Sequence, residues 1–254
     1  MKKIILLLFL ILSFGYGKII LGVHPISNKA QLKESMKSLT NYLSKELDEK
    51  VVIFVGKNYK DGEDRLINGQ IDLLIISPYA MYKMLKKYTH IIPMTQLKLN
   101  NKLKYRGAII VSKNSNINEL HEIKNRSFIF GDPSSTFAYA IPKKLLKIAG
   151  IRHSKIYSVT TQPEIIKAIS SGKVVAGGVK ESFAKKNLDK VKIIKYSKYL
   201  PTYAVAVNLK KVDRQKIIKV KKAFLNFQKS LDMGPFGIIN KFNRVSSRKY
   251  SDLF

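Results

Sequence analysis

The sequence predicts an α/β protein made of two α/β units, the second inserted into the first. Three observations predict it. Short apolar runs alternate with longer amphipathic segments along most of the chain, the alternation changes character near residue 105, and it changes again near residue 200. Strand and helix in alternation imply right-handed crossovers and a mainly parallel sheet. Two units joined by two crossing strands make a hinge, and open α/β sheets take ligands beyond the carboxyl ends of their strands, here facing each other across a cleft.

The elements follow in order. Residues 18–23 (KIILGV), 51–55 (VVIFV) and 71–76 (IDLLII) read as buried strands. Between them, residues 29–47 form a helix with Leu32, Met36, Leu39 and Leu43 on one face, and residues 59–68 form a shorter one. A third helix covers 79–88. Residues 90–113 hold two strand-like segments around a polar turn at Asn100 and Asn101. Strands are then expected at 128–130, 155–159, 174–179 and 191–196, with helices at 135–149, 164–170 and 182–186. Residues 203–208 read as a strand and 213–231 as a long helix. The expected division is 18–106 with 200–254 for the first lobe and 107–199 for the inserted one.

Residues 1–17 have the layout of a secretory signal peptide: Lys2 and Lys3, an apolar block from Ile4 to Phe14, then Gly15 and Gly17. A bilayer span needs about 20 apolar residues, so a permanent membrane helix is the weaker reading. Cleavage is expected near Gly17, with an uncleaved anchor as the alternative. The chain has no cysteine, which excludes disulfides, thiolate metal sites, cysteine nucleophiles and a cysteine-linked lipid anchor. A periplasmic, monomeric protein that is not a lipoprotein is the expectation.

Lys and Arg number 47 against 17 Asp and Glu, a balance that by itself suggests a polyanionic partner. The excess is mostly Lys spread over almost every segment, Arg is scarce, and export separates the chain from cellular nucleic acid, so no nucleic-acid partner is expected.

Residues 128–150 (FIFGDPSSTFAYAIPKKLLKIAG) carry the most chemistry. A strand stops at Gly131, Asp132 and Pro133 turn the chain, and Ser134, Ser135 and Thr136 lead into a helix. A helix start presents unpaired N–H groups and a positive dipole end, to which hydroxyls add donors, so an oxyanion can bind without a cationic side chain. Ser and Thr are equally ordinary N-caps.

The GDPSST turn, Ile141-Pro142 and Ala149-Gly150-Ile151 resemble the substrate-binding proteins of phosphonate, phosphite and phosphate ABC transporters. Residues 68–72 (NGQID), 77–79 (SPY), 105–112, 171–176 (SGKVVA), 237–242 and Tyr250 fall in the matching order. The resemblance implies a type II periplasmic-binding fold and a hinged cleft for a small tetrahedral phosphorus oxyanion. An ABC permease is the expected partner, with a membrane sensor as the alternative, and no cofactor is expected. Position by position, Ser135 and Thr136 match the hydroxyl donors, with Ser134 and Ser77 beside them, and Tyr59 and Tyr105 match tyrosines that reach the oxyanion. Phe137 replaces a third hydroxyl residue, and Gln162 stands where relatives often have His. Tyr203 stands where binders of aminoalkylphosphonates carry a carboxylate. Glu181 corresponds to the other carboxylate only with a shift of about one residue, so an ammonium-bearing ligand is disfavoured. His24, closing the first strand, is a further cleft candidate, whereas His90, His121 and His153 read as surface residues and not as metal ligands.

No GxSxG elbow, HExxH helix, paired carboxylates or GxxxxGK[ST] loop occurs. Ser135 as a nucleophile would need a base that the sequence does not place beside it, so no enzyme is expected.

Overall fold

Apolar residues at alternating and helical spacing bury their shared faces here in two separate sheets. The structure, a computed structural model, describes residues 17–26, 28–232 and 237–254. The expected signal peptide lies almost wholly outside the described residues. Among those described, no helix is long and apolar enough to cross a membrane.

The chain begins with β1 (Ile19–Val23), α1 (Lys29–Leu47), β2 (Val51–Val55), α2 (Tyr59–Asn68), β3 (Leu73–Ile76), α3 (Pro78–Lys87) and β4 (Ile91–Leu99). Asn28 caps α1 by accepting from the Ala30 N–H at 2.9 Å, and Asn58 caps α2 by accepting from the Asp61 N–H at 2.9 Å. Ser77 caps α3, with Pro78 in its first turn. The turn after β4 sits on Asn100 and Asn101, at φ of 45° and 60°, a region that asparagine tolerates better than most residues.

A short β5 (Lys104–Tyr105) leads into β6 (Gly107–Ser112) and β7 (Ser127–Phe130). Then come α4 (Ile141–Ile148), β8 (Lys155–Ser158), α5 (Gln162–Ser170), β9 (Ala176–Lys180), α6 (Glu181–Lys185) and β10 (Val191–Tyr196). The return crossing, β11 (Leu200–Pro201), pairs with β5, so both connections between the sheets run side by side. The chain ends with β12 (Ala204–Asn208), α7 (Arg214–Leu225), β13 (Leu231–Asp232), β14 (Ile238–Asn243) and α8 (Arg248–Ser251).

The larger sheet has the order β13-β14-β4-β12-β3-β1-β2 and the smaller one β10-β6-β9-β7-β8. The expected mainly parallel sheet is corrected to a mixed one. β1 pairs in parallel with β2 and β3, but β12 is antiparallel to β3 and β4, and β14 to β4. The reason is connectivity: β12 returns from the smaller sheet instead of completing a β-α-β crossover.

Each sheet is covered on both faces. In the larger one, Leu32, Met36 and Leu39 of α1, Phe224 of α7 and Phe227 just after it cover one side, while Leu66, Met81, Met84 and Tyr250 fill the other. In the smaller one, Ile165 and Ile169 cover one face and Leu146 and Phe128 the other. Pro142 lies against Gly178, where an added Cβ would come within 2.0 Å of the Pro142 ring, so only glycine lets α4 approach β9 so closely.

Two helix expectations change. Residues 135–149 are not one α-helix: a π-helical turn at Thr136–Ala140 precedes α4. The helix expected over 213–231 ends at Leu225, and Leu231 belongs to a strand. Phe227 and Leu231 do face the same core, but from outside the helix, which the periodicity alone does not distinguish.

Candidate functional site

The 131–136 turn is built from its own polar groups. The Gly131 N–H donates to the Ala138 carbonyl at 2.8 Å, folding the turn back on the helix. Asp132 accepts from the Ser134 N–H at 2.8 Å and, across to the larger sheet's unit, from the Tyr59 N–H at 3.2 Å. Ser135 caps the helix by accepting from the Ala138 N–H at 3.2 Å. The π-helical turn that follows is a feature that recurs at functional sites, and it widens the helix start.

Ser77, Ser134 and Thr136 meet across the two units. The Ser77 hydroxyl donates to the Ser134 carbonyl at 2.8 Å, the Tyr79 N–H donates to Thr136 Oγ1 at 2.9 Å, and Lys83 Nζ donates to Ser134 Oγ at 2.6 Å. The start of α3 thus faces the helix start at Thr136 head to head.

His24 and Tyr59 continue the buried wall on the larger sheet's side. Their rings meet at a tilt of 35° with centroids 4.2 Å apart, and His24 is 0% exposed. Its Nε2 lies 3.9 Å from Glu63 Oε1, and neither ring nitrogen nor that carboxylate oxygen has a hydrogen-bond partner among the described residues. Burial, reinforced by the Lys83 ammonium, pushes His24 down to about 3, so it is neutral at physiological pH. Burial raises Glu63 and raises the Tyr59 hydroxyl well above its usual range; for Tyr59, neighbouring Tyr203 and Asp132 add to the effect and Ser135 opposes it.

At the crossing strands the geometry departs from expectation. The Tyr105 hydroxyl donates to the Leu99 carbonyl at 2.9 Å and accepts from Asn100 Nδ2 at 3.1 Å, so Tyr105 offers its ring and not its hydroxyl. That ring carries Lys180 Nζ 3.7 Å from its centroid, and Tyr203 stands 5.9 Å from the same ammonium. Gln162, expected as a donor, uses its oxygen to accept from the Lys180 N–H at 2.7 Å. Its amide holds the backbone at the end of β9.

Glu181 turns the other way. Both its oxygens accept from Arg106, each at 2.9 Å, and Lys185 Nζ lies 2.9 Å away. The Arg106 bonds, then Lys185, hold its carboxyl down at about 2, below the ordinary 4.5. A lowered folded-state pKa contributes stability above pH 4.5 that is lost as pH falls toward 2. Glu181→Gln is expected to cost about 1.5–3 kcal/mol at neutral pH, the worth of hydrogen bonds to a charged group. It should also lose less stability than the parent protein between pH 4.5 and 2, as urea unfolding across that range would show.

Sequence reasoning missed Lys180, Asp132, Lys83 and Glu63. Lys180 and Lys83 have no signal among so many lysines, although Lys180 does end a strand that is otherwise small and apolar. Of the other histidines, His121 is exposed, whereas His153 is half-buried against Phe128 at 5.1 Å, a correction to its expected surface place. Among the described residues no three His, Cys, Asp or Glu side chains cluster as metal ligands would.

The model of the periplasmic substrate-binding proteins of phosphonate ABC transporters matches residues 21–250. The fold is similar to that of PhnD1 from Prochlorococcus marinus, solved in complex with methylphosphonate. That match has a TM-score of 0.81 and 19% identity, covering 92% of this chain and 95% of that one. A binding-protein component of a phosphonate ABC transporter from Pseudomonas aeruginosa matches with a TM-score of 0.79 and 15% identity, over 92% and 83% of the two chains. A Xanthomonas citri protein bound to chloride ion matches with a TM-score of 0.78 and 15% identity, over 92% and 94%. The two-sheet architecture is that of the periplasmic binding proteins, and the chain belongs to the family of phosphonate ABC-transporter periplasmic substrate-binding proteins.

Proposed function

We propose that the protein captures a small phosphorus oxyanion, namely phosphate, phosphite or an alkylphosphonate, between its two units and delivers it to an ABC permease. One observation carries this reading. The Ser135 and Thr136 helix start of one unit and Tyr59, Ser77 and the Tyr79 N–H of the other converge at one buried junction. The Ser135 and Thr136 hydroxyls, joined by the Ser77 hydroxyl and the Tyr79 N–H once the units part and free them from Ser134 and Thr136, suit a tetrahedral oxyanion without needing a carboxylate or a metal. The methylphosphonate complex of the Prochlorococcus protein supports the ligand class.

The oxyanion docks first on the Ser135 and Thr136 helix start, and Tyr59 engages as the units close. Tyr105 and Tyr203 then bound the pocket with their rings. Closure gives the loaded protein a shape that a membrane partner distinguishes from the open one.

Thermal unfolding of the mature protein with phosphate, phosphite, methylphosphonate, aminoethylphosphonate, sulfate and short organic acids tests the reading. A ligand at about 100 times its Kd adds about 2.7 kcal/mol, a midpoint shift of several degrees for a chain of this size. A shift with phosphorus oxyanions and none with sulfate is expected. No shift with any phosphorus ligand would overturn the assignment.

A further inference from the structure

Lys180 is 2% exposed, yet no carboxylate pairs with it among the described residues. The neighbouring charge that acts on it is a second cation, Lys186, and the nearest carboxylate in sequence, Glu181, is committed to Arg106 and Lys185. A buried charge without a partner is costly, and ordinary structural lysines avoid that position. Two features nevertheless hold it in place: the Tyr105 ring under its ammonium at 3.7 Å, and the Gln162 oxygen on its backbone N–H at 2.7 Å. Burial pushes it down to about 7, the mark of an ammonium that lacks an anion.

Its position relative to the oxyanion junction is also defined. Tyr59 lies beside both Ser135 and Tyr203, and Tyr203 lies 5.9 Å from the Lys180 ammonium. The cation is thus connected to the hydroxyl end through a run of two neighbouring tyrosines, Tyr203 and Tyr59. A ligand spanning both ends would present its phosphorus group to Ser135 and its organic arm to Lys180.

We propose that Lys180 is a specificity-determining residue that selects phosphorus ligands whose organic arm ends in a second anionic group, a phosphonocarboxylate in chemical class, and rejects arms ending in an ammonium. This rests on the phosphorus-oxyanion reading of the same cleft.

Titration calorimetry of the full mature protein with phosphonoacetate, methylphosphonate, aminomethylphosphonate and succinate tests it, with Lys180→Met as the variant. The parent is expected to bind phosphonoacetate at least tenfold more tightly than methylphosphonate and aminomethylphosphonate most weakly. Lys180→Met should remove the phosphonoacetate preference while changing methylphosphonate affinity less than threefold. The variant should melt at or above the parent, since an unpaired buried charge is gone; if it fails to fold, Lys180→Gln replaces it in the same comparison. Equal loss for all ligands, or no preference in the parent, overturns the proposal. Lys180-dependent binding of succinate with silence toward every phosphorus ligand overturns the phosphorus reading while retaining an anion-selective Lys180. No binding of any of the four overturns both.

Discussion

Ser135→Ala combined with Thr136→Ala is expected to weaken phosphorus-oxyanion binding by about 10²- to 10⁴-fold. Each hydroxyl that donates to an anionic oxygen contributes about 1.5–3 kcal/mol, and every 1.4 kcal/mol is a factor of ten. The double variant also loses stability, because Ser135 caps the Ala138 N–H and Thr136 accepts from the Tyr79 N–H. Removing such a cap costs about 0.5–2 kcal/mol, which leaves the fold intact at room temperature. Calorimetry below the variant's melting point separates the two effects, and affinity within threefold of the parent would remove the helix start from the site.

Phe242→Ala is expected to destabilise the protein by about 3–5 kcal/mol without touching the proposed site. Phe242 is fully buried and meets Phe224 edge-on at 4.7 Å and Phe227 at 5.6 Å, so one substitution opens the contact among β14, α7 and the segment that follows it. Denaturant titration would show it as a lower midpoint; a loss below 1 kcal/mol would mean that the aromatic cluster contributes little to holding β14 on the sheet.

The elements that follow local rules were readable from residues alone. Helix α1 has Asn28 ahead of it and apolar residues spaced three and four apart, and it runs over the bounds expected of it. Asn100 and Asn101 announce their turn through the backbone conformations that asparagine tolerates. What local patterns could not show is long-range pairing. β14 mixes exposed and buried positions and is a strand because it lies against β4, and β12 is antiparallel because of where its chain comes from. The site divides in the same way. The hydroxyl helix start is visible as a motif, whereas the direction in which Tyr105, Gln162 and Glu181 point depends on partners 6, 18 and 75 residues away. Lys180 ends a small, apolar strand, but nothing in so lysine-rich a sequence tells that it is buried.

β12 occupies an interior slot of the larger sheet, between β3 and β4, but is made only after every strand of the smaller sheet. A chain emerging from its amino end can therefore finish the smaller sheet while β3 still lacks its neighbour and β4, whose other partner β14 comes later still, has no strand beside it. Until then β3, which is wholly apolar, and β4, which is mostly so, carry unpaired backbone groups, the kind of surface that recruits strands from other chains. During synthesis, then, the stretch of chain made before residues 204–208 leaves those strand edges open, and it is the interval in which pairing with another chain has no competitor from β12.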